Sequence, residues 1–441
     1  MWSGWRGHLT NASYTAGTPL GDSVFAISVP QLKFGMGATR EVGFEAKRLG
    51  MSHVLLVSGR RIAETRMLED VRSSLENEGI RVNLTTHVRI EPEDEALVDA
   101  YREIKSLEID GFVALGGGST IDTAKILNLL YSHPAELSEY MNRPVGKGLS
   151  PAGSLRPLVA IPTTAGTGSE STAVAVLGVS KLRIKTGVSN PLLRPSVAII
   201  DPLNSVSLPP MVTASSGMDV LNHAIESLTA RPYTARPAPK SPADRAIYAG
   251  ATPVGDLFAG QVVRWVHQYL RRAVRDPQDV EARYYMSLGS SLAGLGFGHA
   301  GVHVPHAMAY PIAGMIRRWY PSDYELGYPI SPHGISTALP AAYVFRYLTP
   351  FKQEAFRQAA DCLGLATEGL DVKGLGDALF EYYIRLLEDL RIPTTLGELD
   401  FSLQDVEALV EGTLAQQRLI SLSPKTIEKP DLDTIFRSAL G

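Results

Sequence analysis

Residues 112–130 read FVALGGGSTIDTAKILNLL, and this stretch decides the fold. Phe112 to Leu115 is an unbroken apolar run, as expected of a strand buried on both faces. Gly116, Gly117 and Gly118 then turn the chain, and Ile121 to Leu130 continues at helical spacing. A glycine turn opening a helix lets backbone amides approach phosphate oxygens, and the helix dipole favours their charge. Working outward, Val54 to Ser58 repeats the strand pattern before Gly59, and Leu68, Val71 and Leu75 recur at helical spacing before the stop at Gly79. Glu91-Pro92-Glu93-Asp94 predicts a helix start with Pro92 in its first turn, and Leu97, Tyr101 and Ile104 mark its buried face. Leu158 to Ile161 is a further strand, running into Pro162. Strands alternating with helices predict a parallel sheet covered on both faces.

Past Pro202 the pattern becomes helical, with Asp256–Val274 and Pro277–Leu295 as long helices. In the first of these, Leu257, Val263, Trp265, Tyr269 and Leu270 are read as core. A loop rich in Pro, Ala and Arg spans Arg231 to Pro253. The expected organisation is an α/β nucleotide-binding domain over residues 1–204, with a Rossmann-like parallel sheet, and an all-helical domain over 205–441. A chain of 441 residues exceeds what one core usually supports, which agrees with two domains.

Charge bounds the partners. Lys and Arg total 42 against 46 Asp and Glu, a net charge of −4, which gives no support to nucleic-acid binding. The one cysteine, Cys362, excludes a disulfide framework and a Cys-only zinc site; a reducing, cytoplasmic location is expected. From Tyr284 to Ile316, 33 residues carry no Asp, Glu, Lys or Arg. Six glycines, two prolines and three histidines in that run argue for a buried helix pair lining something polar, not a membrane span. Met1–Asp22 lacks the apolar stretch of a secretory signal, and its single Arg6 makes a weak organelle address.

Two loops and a set of histidines carry the chemistry. Gly116 to Thr120 departs from GxGxxG, yet three glycines followed by two hydroxyls favour phosphate binding over a plain turn. Thr163-Thr164-Ala165-Gly166-Thr167-Gly168-Ser169 also follows a strand and offers hydroxyls without bulk. Two such loops at successive strand ends suit a ligand, because open α/β sheets bind at their strand carboxyl ends. Six of the ten histidines fall between 223 and 333. Asp219 and His223, spaced i, i+4, share a helix face, and His306 and His333 could close a site of one carboxylate and three imidazoles. That donor set suits Fe(II), Zn(II) or a similar divalent ion. Any one of these histidines alone is better read as a hydrogen-bonded core residue. His267, between Arg264 and Arg271, is read as structural.

In order along the chain, Gly116–Thr120, Pro162–Glu170, Gly217–Glu226, Gly294–Pro311 and Pro332-His333-Gly334 resemble the signatures of iron-dependent (group III) alcohol dehydrogenases. The match runs from about Phe25 onward. The loop after Glu226, the run Gly294–His306 and the segment between Pro311 and His333 resemble the hydroxyacid–oxoacid transhydrogenase branch. The resemblance implies a dinucleotide-binding domain followed by a helical one, with the active site in the cleft between them and a homo-oligomer, a dimer first. It places the metal on Asp219, His223, His306 and His333, the pyrophosphate on Gly117, Gly118 and Ser119, and other cofactor contacts on Thr163, Thr164, Thr167, Thr172 and Lys185.

Two departures follow. Where many members carry a histidine four residues after the third ligand this chain has Tyr310, so Tyr310 or His303 is expected to relay the proton, with His299 a poorer choice. Where an Asp commonly meets the adenosine ribose stands Gly59, followed by Arg60 and Arg61, which leaves NAD and NADP level. The resemblance implies hydride transfer between a nicotinamide and a small alcohol or carbonyl, with a hydroxy acid such as 4-hydroxybutyrate as substrate and 2-oxoglutarate as acceptor. Of the cations in the branch-specific segments (Arg231, Arg236, Arg317, Arg318), Arg236 is expected to hold the substrate carboxylate. The competing readings are an ordinary NAD(P)-dependent alcohol dehydrogenase or aldehyde reductase that releases its cofactor, a metal-dependent sugar-phosphate cyclase of the same broad fold, and a scaffold descended from an enzyme.

Overall fold

The computed structural model describes Tyr14 and residues 21–181, 184–324 and 326–441. Most of the Met1–Asp22 segment, with the targeting question it carries, therefore lies outside the described residues.

Six strands form one parallel sheet: β1 (Gln31–Phe34), β2 (His53–Ser58), β3 (Arg81–Thr85), β4 (Gly111–Gly116), β5 (Leu158–Pro162) and β8 (Val197–Ile200). Their spatial order is β1-β8-β5-β4-β2-β3. Successive side chains of a strand point to opposite faces, and here both faces are apolar. Leu55, Val57, Phe112, Ala114, Leu158 and Ala160 meet helices Asp94–Ile104 and Gly118–Ser132 on one side. Val54, Leu56, Val113, Leu115, Val159 and Ile161 meet helices Val42–Arg48 and Arg66–Asn77 on the other. That is why β2, β4 and β5 read as unbroken apolar runs. An antiparallel hairpin, β6 (Val174–Val179) and β7 (Ile184–Ser189), stands apart from the sheet.

From β2 the chain adds β3 on one side and then β4 on the other. The order reverses there, so the carboxyl ends of β2 and β4 flank a crevice, the usual ligand position in an open α/β sheet. Gly59 caps one short helix at this edge and Gly117 caps helix Gly118–Ser132.

After β8 the chain is helical. Helices Pro210–Thr229, Pro253–Arg275, Val280–Ala300, Val304–Gly314 and His333–Leu348 share one large core with the helices that follow. The charge-free run forms the buried pair Val280–Ala300 and Val304–Gly314. Among the described residues no helix is long and apolar enough to cross a membrane.

Two local readings are corrected. The helix after β3 begins at Asp94 with Glu93 as its cap, so Pro92 precedes it, and Glu91 adopts φ 59°. That turn carries the Glu91 carboxylate away from the helix dipole and onto Lys185. Leu257 is 43 % exposed, whereas Val263 and Leu270 are buried as read. It opens the second turn of its helix, on the exposed side.

Candidate active site

Helix Pro210–Thr229 is buried along most of its length and displays Asp219, His223 and Glu226 at i, i+4 and i+7, one face by helical geometry. Asp219 is the hub. Its Oδ1 lies 3.8 Å from His223 Nε2, 3.4 Å from His306 Nε2 and 3.9 Å from His333 Nε2. Asp219, His306 and His333 offer atoms that all lie within 4.8 Å of one another. His223 approaches the same oxygen without coming that close to all three, and its ring stacks on Phe297 at 3.8 Å and on His306 at 4.7 Å.

The meeting depends on close helix approach. A Cβ at Gly334, the residue after His333, would lie 1.9 Å from the Ser215 carbonyl oxygen one turn before Asp219. Only glycine lets helix His333–Leu348 start this near to helix Pro210–Thr229.

Behind the hub stands a carboxylate that the sequence reading left without a role. Glu226, fully buried, bonds His306 Nδ1 through Oε2 and accepts the His303 backbone N–H at 2.7 Å through Oε1. With Nδ1 occupied, His306 Nε2 is left as a buried atom with no hydrogen-bond partner, aimed at Asp219. A carboxylate behind a ligating imidazole fixes its tautomer and raises its basicity. Glu226 was findable, because it lies three residues after His223 on the same face.

Burial and charge set the protonation states. Burial opposes charge on Asp219, but the imidazoles around it hold the carboxyl far below its ordinary range. Burial pushes His223 down to about 4 and His333 down to about 3, so both are neutral near pH 7. Burial also disfavours charge on His306, yet Glu226 and Asp219 on either side lift it to about 9. One ionised oxygen, two neutral imidazoles and one orphaned imidazole nitrogen make a set that fits a divalent ion. The separations of 3.4–3.9 Å approach the roughly 3.3 Å expected between tetrahedral ligands on bonds of about 2.0–2.1 Å.

Two spaces meet at this cluster. A groove of about 1080 Å³ runs from Gly59, Arg60 and Arg61 past Gly117, Gly118, Ser119 and Thr164 to Asp219 and His333. A smaller cavity of about 130 Å³ continues beyond, lined by Lys185, Thr172, the four metal-type residues, Tyr248, Tyr310 and Arg418. Ser119 and Thr167 line both spaces. A Cβ at Gly118 would lie 2.6 Å from the Thr167 side chain, so glycine is what lets the two loops close on each other. Gly168, at φ 59°, packs the second loop onto helix Val280–Ala300, where its Cβ would lie 2.8 Å from Gly294 Cα.

The remaining predicted residues divide. Lys185 lines the cavity, ion-paired to Glu91, with burial bringing it down to about 7. Thr172 lines it too, beside the buried Lys125 amino group at 3.2 Å. Thr163 is buried and donates its backbone N–H to Gly116 O at 3.0 Å, joining the two loops without lining either space. Tyr310 faces the cavity, and burial raises its hydroxyl pKa. His303 does not line it; its Nε2 is bonded to Thr229 Oγ1 at 2.9 Å, behind Glu226. His299 is spent on Thr252 and the Leu295 carbonyl. Arg236 is held by Asp22 at 2.6 Å, together with Arg245, and lies outside the cavity. Arg231 bonds the Ser421 and Ala235 carbonyls, and Arg317 pairs with Asp405. Arg418 is the arginine that does line the cavity, and nothing in its polar neighbourhood, Gln416-Gln417-Arg418, signals this.

Comparison with known proteins bears on the class. Residues 30–202 match the iron-containing alcohol dehydrogenase family, and residues 246–440 match the C-terminal model of the Fe-containing alcohol dehydrogenase family. The chain belongs to the iron-containing alcohol dehydrogenase family. It is an oxidoreductase acting on CH–OH groups. It is 39 % identical over 421 residues to the mitochondrial hydroxyacid-oxoacid transhydrogenase of Bos taurus, covering 95 % of this chain and 90 % of that one. Identity to the Homo sapiens protein of that name is 37 % at the same coverages. Among solved structures, 1,3-propanediol oxidoreductase superposes with TM-score 0.82 at 29 % identity, covering 95 % of this chain and 100 % of that one. Sulfoacetaldehyde reductase from Bifidobacterium kashiwanohense, in complex with NAD+, gives 0.76 at 25 % identity, covering 94 % and 98 %.

The cytoplasmic expectation is overturned, because these transhydrogenase relatives are mitochondrial. It rested on a low cysteine count, which does not tell one reducing compartment from another.

Proposed function

We propose that this chain is a metal-dependent hydroxyacid–oxoacid transhydrogenase, exchanging hydride between a small hydroxy acid such as 4-hydroxybutyrate and an oxo acid such as 2-oxoglutarate. The observation that carries the reading is the junction at Asp219 and His333, which line both the nucleotide-sized groove and the small cavity. When bound there, a nicotinamide exchanges hydride with the carbinol carbon while a divalent ion, Fe(II) or Zn(II), polarises its oxygen.

The chain's own residues do the rest. Asp219, His223, His306 and His333 would hold the ion, with Glu226 orienting His306. Gly117, Gly118 and Ser119 present a helix N-terminus to the pyrophosphate, and Thr164 and Thr167 close the opposite wall. Gly59, Arg60 and Arg61 at the far end of the groove place no carboxylate against a ribose phosphate, so NAD and NADP are both accommodated. Tyr310, one of the hydroxyls lining the cavity, is assigned to pass the proton released when the alcohol becomes a carbonyl. In the return half-reaction the same cavity would hold the oxo acid, and Tyr310 would return the proton to its carbonyl oxygen.

The test is metal-loaded protein incubated with 2-oxoglutarate and 4-hydroxybutyrate carrying deuterium on carbon 4. Deuterium on carbon 2 of the resulting 2-hydroxyglutarate, with no nucleotide added, is the expected result. Turnover that needs stoichiometric NAD(P) would instead make the protein an ordinary dehydrogenase.

A further inference from the structure

The cavity beyond the metal-type cluster is lined by a cation whose charge nothing among the described residues balances. Arg418 and Lys185 are the Lys and Arg side chains lining it, and Lys185 is already paired with Glu91. Arg418 forms no ion pair among the described residues, and its Nη1 is buried without a hydrogen-bond partner. Its guanidinium lies 5.0 Å from the Tyr248 ring centroid, and the Tyr248 and Tyr310 hydroxyls both interact with it. A buried arginine with a free N–H is costly unless something anionic completes it. We propose that Arg418, framed by Tyr248 and Tyr310, is the substrate-binding residue that holds the carboxylate of the hydroxy acid and of the oxo acid. This rests on the transhydrogenase reading and adds to it the residue that selects an acid over a neutral alcohol.

The cavity that Arg418 lines is also lined by all four metal-type residues, so one small substrate can meet both. The two proposed substrates share a carboxylate three carbon–carbon bonds from the reacting carbon. In 4-hydroxybutyrate, carbon 4 reacts and carbon 1 is the carboxylate; in 2-oxoglutarate, carbon 2 reacts and carbon 5 is the distal carboxylate. One anchor thus serves both half-reactions. Arg236 cannot share the task, since it pairs with Asp22 and does not line the cavity.

The experiment compares R418M, R418Q and R418K with the parent, all metal-loaded and checked for folding by circular dichroism. The readout is kcat/KM for 4-hydroxybutyrate, with butan-1-ol as the acid-free control. R418M and R418Q should each lose 100-fold or more on 4-hydroxybutyrate, mainly in KM, while R418K stays within about tenfold of the parent. With a neutral aldehyde such as propanal as acceptor, the R418M loss in kcat/KM on butan-1-ol should be at least tenfold smaller than its loss on 4-hydroxybutyrate. R418Q matching the parent, R418K failing as badly as R418M, or equal losses on both compounds would overturn the anchor while leaving the transhydrogenase reading intact. A parent enzyme that oxidises neither compound would remove that reading, and the anchor with it.

Discussion

At the scale of single residues, the account turns on His306, which Glu226 and Asp219 hold between them. Without an ion its ring stays protonated up to about pH 9, so a divalent cation must displace a proton from Nε2. The sign follows. Below pH 9 each unit of acid should cost about tenfold in metal affinity. Among the four ligands Asp219 is already ionised and His223 and His333 are already neutral, so only His306 gives up a proton between pH 5 and 9. Calorimetry of metal-free protein in buffers of different ionisation enthalpy should therefore find about one proton or more released per ion at pH 7, any excess coming from Lys185 in the same cavity; none released would contradict the arrangement. E226Q keeps shape but removes the charge behind His306 and should weaken metal binding roughly 10–100-fold. H223A should lose both metal and turnover, and a variant with full activity and no metal would exclude His223 as a ligand. The i, i+4 spacing made Asp219 and His223 legible, and one more turn of the same argument reaches Glu226. Arg236 and Arg418 were not legible, because sequence does not show which arginine meets a distant Asp22 and which is left facing a cavity.

At the scale of elements, glycines at crossings decide whether the cluster forms. G334A places a methyl 1.9 Å from the Ser215 carbonyl, and backbone on both sides leaves little room to give. We expect a cost of about 1–3 kcal/mol or more from overpacking, and a loss of metal affinity larger than the loss of helix content, read by circular dichroism alongside metal titration. G118V would drive its side chain into Thr167 and should weaken nucleotide binding while sparing the metal. Strands β2, β4 and β5 were legible because both their faces are buried. Strands β1 and β3 lie at the sheet edges and are mostly exposed or half-buried, so their sequences carry no apolar run. Pro92 misled for a related reason: the turn at Glu91 serves the Lys185 ion pair and not the helix start.

At the scale of the whole molecule, a sheet half and a helical half are joined so that the groove along Gly117 and Gly118 and the metal-type cluster share a wall. The change of pattern after Pro202 showed the two halves, since buried strands and amphipathic helices differ in period. How closely they approach was hidden in contacts such as Gly168 against Gly294, which have no signature along the chain. Because the ion binds only the folded cluster, chelation should lower stability, and ion at about 100 times its Kd should restore roughly 2.7 kcal/mol, seen as a higher Tm. The most direct test of the central claim is anomalous diffraction at the metal absorption edge from iron- or zinc-loaded crystals. The account predicts one strong peak within about 2.0–2.2 Å of ligand atoms on Asp219, His223, His306 and His333. A loaded, active protein whose peak lies elsewhere would contradict it.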